Sequence, residues 1–202
     1  VQESATNIIL DHLSIAWGVG TQLTMSTSLR VAVLDCLVSY GLAQNTTTAA
    51  GPGTFTAYNE DAEVTYARNL FVHHSHRLPY IGKSARASVI NNVFYGNGSD
   101  ENGGFDPELQ WAFTIFTTTG HVEPGNIEAD FENNSYIASP YGTPPSNTLG
   151  THALTKPFLF IGQPAEVYLS GNNGHNVTVG NQWAGAEYIS GATEAGVRVN
   201  TP

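Results

Sequence analysis

Positive charge is scarce in this sequence: seven Lys and Arg stand against 17 Asp and Glu in 202 residues, a formal net charge of −10. A nucleic-acid partner is therefore excluded as an expectation, since phosphate binding needs a basic surface. All charged residues together reach only 12%, which argues against a helical bundle. Cysteine is nearly absent, and Cys36 alone can form no intrachain disulfide. It sits in the apolar run Val31–Val38 and reads as a core residue. No apolar run is long enough to span a membrane. Val1-Gln-Glu-Ser-Ala-Thr6 has neither a basic start nor an apolar stretch, so no secretion signal is read there.

What is abundant is Gly, Thr, Asn and Ser, beside a hydrophobic content of 41%. That content suffices for one sizeable core, and residues 1–202 read as a single domain. Short alternating runs recur along the chain. They are Asn7–Trp17, Leu29–Val38, Ala62–Val72, Ala87–Tyr95, Ile127–Tyr136 and Ala165–Asn173. Each alternates apolar and polar residues and then bends at Asp or Asn. Val31 follows Ile8 by 23 residues, and Asn92 follows Asn69 by 23. A repeat of that length points to a solenoid or a propeller.

Asparagine decides between them. Asn69, Asn92, Asn134 and Asn172 each follow a strand-like run at an equivalent place. Parallel strands stacked about 4.8 Å apart would let such side chains hydrogen-bond as a ladder. Propeller blades would need tight antiparallel hairpins, whose turn signals are sparse here. The expected fold is all-β, a right-handed parallel β-helix. Gln44–Thr56, Gly96–Glu108 and Ser139–Gly150 read as projecting loops. Residues from about 183 to 202 read as an irregular cap, with strand alternation only over Gly196–Asn200. The first strand starts abruptly without an amphipathic cap, so further N-terminal coils are expected from the same or another chain.

Two segments carry a family resemblance. Asn69-Leu-Phe-Val-His-His-Ser-His-Arg-Leu-Pro-Tyr-Ile-Gly82, followed by Asn91-Asn-Val-Phe-Tyr95, resembles the pectate and pectin lyases. There an Asn-Leu-Phe strand leads into a Ser-x-Arg-x-Pro turn. Asn7-Ile-Ile-Leu-Asp-His-Leu-Ser-Ile-Ala-Trp17 resembles the family's Ile-Asp-His-x-Ser-x-x-Trp strand, and both segments stand in the family's order. The resemblance implies a secreted or extracellular lyase that cleaves an acidic, uronate-containing polysaccharide by β-elimination. A base takes the proton beside the carboxylate, the 4-linked oxygen leaves, and developing charge must be stabilised. Arg77 matches the family's catalytic arginine. A guanidinium is almost always protonated, so clamping the carboxylate is its physically easier role. Lys83, His76, Tyr80 and Tyr58 are the expected substrate-binding residues.

The family's calcium site does not transfer. Gly18-Val-Gly-Thr-Gln-Leu-Thr24 lacks any acid where carboxylate ligands are expected, with Gly20 and Thr24 at the aligned positions. No metal ligands are assigned, and Ca2+ would need residues upstream of Val1. The downstream basic residue aligns with Tyr80, Gly82 or Lys83, of which only Lys83 is charged. His73 and His74 are adjacent and would point to opposite faces of a strand, which argues against a joint metal site. His12 reads as a core histidine, Asp11 as scaffold, and Trp17, Trp111 and Trp183 as buried. Glu60 and Asp61 are the candidate carboxylates for glycoside hydrolysis, but adjacent residues in a strand diverge. A second reading is a non-catalytic glycan-binding β-helix of a viral tailspike or adhesin. That protein would sit on a virion or cell surface, a tailspike as a homotrimer.

Overall fold

The computed structural model describes residues 6–18, 21–26, 30–39, 55–60, 62–72, 79–82, 84–97, 113–116, 127–138, 158–161, 165–174, 180–189 and 193–199. It is all-β, and every strand pairing is parallel. The first sheet holds β1 (Ile8–Asp11), β4 (Arg30–Leu34), β7 (Glu63–Ala67), β10 (Arg86–Ile90), β13 (Ile127–Glu132) and β16 (Ala165–Ser170). The second holds β2 (Ser14–Ala16), β5 (Leu37–Ser39), β8 (Leu70–Val72), β11 (Val93–Asn97) and β14 (Ser135–Ala138). The third holds β3 (Thr21–Ser26), β6 (Phe55–Glu60), β9 (Tyr80–Gly82), β12 (Phe113–Phe116), β15 (Phe158–Ile161) and β17 (Ala186–Ile189). Consecutive strands visit the three sheets in turn, so neighbours within a sheet are three strands apart in the chain until β16.

Alternation explains the core. Val31 and Val33 on β4, Val64 and Tyr66 on β7, Ala87 and Val89 on β10 and Phe131 on β13 are buried, and the residues between them lie on the other face. On the second sheet Val38, Phe71, Phe94 and Tyr136 share one register row. Phe71 and Phe94 stack with centroids 4.8 Å apart, and Phe94 and Tyr136 at 5.3 Å. Phe158 closes that row edge-on, 5.4 Å from Tyr136.

The corner between the first and second sheets is made by two residues each time. The first adopts a positive φ: His12, Asp35, Arg68, Asn91, Asn133 and Gly171. From the Asp35 corner onward the second is buried, and here the expected asparagine ladder is found; Leu13, at the first corner, is exposed. Asn92 Oδ1 accepts from the Asn69 amide at 2.9 Å and from Asn69 Nδ2 at 3.0 Å. Asn134 and Asn172 repeat the pattern, and Gln182 Oε1 ends it by accepting from the Asn172 amide at 2.8 Å. Each ladder Nδ2 also donates to a strand carbonyl, as from Asn92 to Tyr66 at 2.9 Å. A Cβ at Gly171 would lie 2.0 Å from Asn133 Oδ1, so glycine is needed there for space as well as for φ.

Cys36 is buried as expected, but it does more than fill space. It occupies the ladder place before Asn69, and its amide donates to Asn69 Oδ1 at 2.9 Å. Its sulfur stands where an amide would, 3.4 Å from the Leu13 amide and 3.5 Å from the Leu10 carbonyl. Sulfur is a weak partner. Cys36→Asn is therefore expected to lengthen the ladder and stabilise the fold by about 1 kcal/mol. For a chain of this size that raises the melting midpoint by about 2–4 °C, read by thermal unfolding. A lower midpoint would show that the site cannot take an amide.

Three expectations need correction. His12 is not a core residue: its side chain is 77% exposed, because it occupies the outward corner place. Trp17 is 64% exposed, at a positive-φ position after β2. The tail is more regular than expected. It holds a 3-10 turn at Gln182–Gly185, the strand β17 and a helical turn at Glu194–Val197, where strand alternation had been read over Gly196–Asn200. β17 forms because β15 presents a parallel edge, which a four-residue run does not announce in sequence. Trp183 is buried as expected, with the Arg198 guanidinium 5.8 Å from its ring centroid. Trp111 lies outside the described residues. In the first passage Ile8, Leu10 and Ile15 are only partly buried, although their register partners Val31, Val33 and Val38 are buried.

Candidate functional site

The third sheet carries the residues singled out by the motif. β9 begins just after Pro79, which is buried, and pairs with β6 through Tyr58↔Tyr80 and Asn59↔Ile81. Thr24 on β3 pairs with Tyr58, and Thr114 on β12 pairs with Tyr80. Thr24, Tyr58, Tyr80 and Thr114 thus form one register row across four strands. Tyr80 leans along its own strand. A Cβ added to Gly82 would lie 2.6 Å from Tyr80 Cε1 and 2.9 Å from its hydroxyl. Only glycine leaves that ring its place. Tyr80 is 6% exposed, so any substrate contact falls to a small part of its surface.

Arg77 and His76, with His73 and His74, lie outside the described residues, between β8 of the second sheet and β9 of the third. Lys83, also outside them, directly follows β9. Four of the five predicted site residues therefore flank or belong to β9, and the fifth, Tyr58, is on the strand beside it. Of the positions aligned with family calcium ligands, Gly20 lies outside the described residues and Thr24 is an exposed residue of β3. Glu60 ends β6 in register with Ser26, and Asp61 lies outside the described residues.

Sequence reasoning missed a charged cluster at the corner between the first and second sheets. Ligand atoms of Asp11, His12 and Asp35 lie within 4.8 Å of one another. His12 Nδ1 is 2.7 Å from Asp11 Oδ1. Both Asp35 oxygens already accept from Arg68, whose Nε and Nη2 donate at 2.8 and 2.6 Å. The guanidinium holds the Asp35 carboxyl below the usual carboxylate range, and the aspartate raises Arg68 in return. The chemistry is that of a forked ion pair. A metal would have to displace a guanidinium, so the residues fit a cation site poorly. Arg68 holds a positive φ, a conformation that favours glycine, and its fork to Asp35 offsets that cost.

The outer face of the first sheet is charged along one edge. Arg30, Glu63, Arg86, Glu128 and Glu166 align in register. Beside them Ser88, Asp130 and Tyr168 align. Asp130 has Glu128 and Glu132 two residues away on its own face. Partial burial, first, and then these two carboxylates push its carboxyl above the usual range. A raised carboxyl favours the folded state when protonated, so its contribution is full below the ordinary aspartate pKa and lost as pH rises through the folded value. Asp130→Asn is expected to raise the melting midpoint at neutral pH and to leave it unchanged well below the ordinary aspartate pKa. Melting curves at the two pH values check this, and an equal gain at both would assign the effect to packing.

Compared with family models, curated proteins and solved structures, the chain matches none.

Proposed function

We propose that this chain forms a right-handed parallel β-helix and acts as a polysaccharide lyase. Its substrate would be an acidic, uronate-containing glycan such as pectate, cleaved by β-elimination. Support for the β-helix comes from the rotation of consecutive strands through three parallel sheets; the right hand is the one that parallel crossovers ordinarily adopt. The observation that carries the site is the register row through Thr24, Tyr58 and Tyr80, whose strand β9 closely follows Arg77 in the sequence. That row gives the motif arginine a sheet surface along which a linear polymer can lie. Arg77 clamps the substrate carboxylate and stabilises charge as the neighbouring proton is removed. Lys83 adds a second cation, His76 is suited to proton transfer near neutral pH, and Tyr58 and Tyr80 flank the bound chain.

Calcium belongs to this reading only through residues outside the chain, since Gly18–Thr24 offers no carboxylate. The partly buried apolar residues of the first passage suit further coils packed against β1 and β2, from the same or another chain. Secretion or display outside the cell follows from the substrate.

A second reading is favoured by the absence of acid in Gly18–Thr24 and by the burial of Tyr80. It is a non-catalytic glycan-binding β-helix of a tailspike or adhesin, trimeric in the first case. Incubation with polygalacturonate and other uronate polymers separates the two, with and without calcium, following ultraviolet absorbance of unsaturated products. Absorbance growth on any of them supports the lyase. Binding without product on all of them supports the second reading, and new reducing ends without unsaturation would indicate hydrolysis.

A further inference from the structure

The outer face of the first sheet carries a groove of about 640 Å3. It crosses β1, β4, β7, β10 and β13. At the strand spacing of a sheet, five strands span about 19 Å. The floor is the register row Ile9, Ala32, Thr65, Ser88 and Asp130, small in its middle. Along one rim run Arg30, Glu63, Arg86 and Glu128. Arg86 Nε lies 3.1 Å from Glu128 Oε2, and its Nη1 lies 4.0 Å from Glu63.

The geometry points to this groove as a binding site for an uncharged stretch of a linear polysaccharide, on a different sheet from β9. Three observations select that occupant. The groove repeats one floor position per strand, so it suits a ligand with a short, regular repeat. The backbones of β4, β7 and β10 already pair with a strand on each side. No edge is free there for an extended peptide to join, and side chains alone must hold the ligand. The lining charges nearly cancel, two arginines against three carboxylates, and Arg86 already pairs with Glu128. A polyanion gains little from such a surface. The Thr65 and Ser88 hydroxyls and the paired guanidinium and carboxylate offer both donors and acceptors to sugar hydroxyls.

The site stands independently of the reaction assigned to the third sheet. Affinity electrophoresis through gels containing galactan, glucomannan or polygalacturonate tests it, with the parent protein and Arg77→Ala. Retardation by at least one neutral polymer is expected for both proteins. Ser88→Trp, which fills the floor, is expected to weaken it about tenfold or more. Arg86→Gln, which breaks the rim while keeping the fold, is expected to weaken it as well. Melting curves accompany each variant, and Thr65→Tyr replaces Ser88→Trp if that variant unfolds. Absence of retardation by both neutral polymers overturns the proposal. So does retardation by polygalacturonate alone, or retardation that survives all of these substitutions. Self-association in sedimentation that Ser88→Trp abolishes would also overturn it, by making the groove a contact between copies. A silent lyase assay with intact neutral-polymer binding would sink the reaction and leave the groove standing.

Discussion

Asn134→Ala is expected to destabilise the protein by about 4 kcal/mol, a large part of the stability of an ordinary domain. Asn134 is fully buried. Its Oδ1 accepts from the Asn92 amide and from Asn92 Nδ2, both at 3.0 Å. Its Nδ2 donates to the Val89 carbonyl at 2.7 Å and to Asn172 Oδ1 at 2.9 Å. Alanine removes all of these and leaves donors and an acceptor stranded where water cannot reach them. Each stranded group costs about 1–3 kcal/mol, and the terms do not add fully because they share one network. The neighbouring Asn133 is exposed and contributes mainly its positive φ. Asn133→Ala should therefore cost only about 1 kcal/mol. Denaturant unfolding of both variants checks the contrast, and equal losses would mean that the ladder carries no special weight.

The second large effect concerns Arg77. On the lyase assignment, Arg77→Ala should lower turnover on uronate polymers by roughly a thousandfold, within the range for removing a base or a charge-stabilising donor. Arg77→Lys should recover little of it. Lysine keeps the charge but loses the planar fork that matches a carboxylate. Melting should be nearly unchanged, since the ladder and the aromatic row are built from other residues. Initial rates of unsaturated product give the measurement. Substantial activity in Arg77→Ala would remove the arginine from the mechanism. Recovery in Arg77→Lys to near the parent rate would show that charge alone matters.

The ladder was legible in the sequence because Asn69, Asn92, Asn134 and Asn172 each end an alternating run, and few other residue types bond so well along a stack. Cys36 was not legible as a member. A thiol is not an amide, and the bond from its backbone amide to Asn69 Oδ1 reveals its place. The corner residues were harder still. Asparagine and glycine advertise a positive φ, but His12, Asp35 and Arg68 do not. Arg68 adopts it next to the ladder residue Asn69, whose bonds fix that turn. The candidate site divides in the same way. The Arg77 motif is local and readable, whereas the pairing of Tyr58 with Tyr80 depends on how much chain lies between two strands. The groove is the extreme case: Ala32, Thr65 and Ser88 come together only through register, at unequal distances along the chain.

Those unequal distances have an evolutionary reading. Successive ladder members are 33, 23, 42 and 38 residues apart from Cys36 to Asn172, yet each lands on the one before it. Every corner resets the phase, so a length change within one passage is corrected before the next begins. The ladder works as an error-correcting ruler. Connections can grow, shrink or be exchanged between its marks while the distant passages keep their alignment, which lets new specificity be tried one insertion at a time.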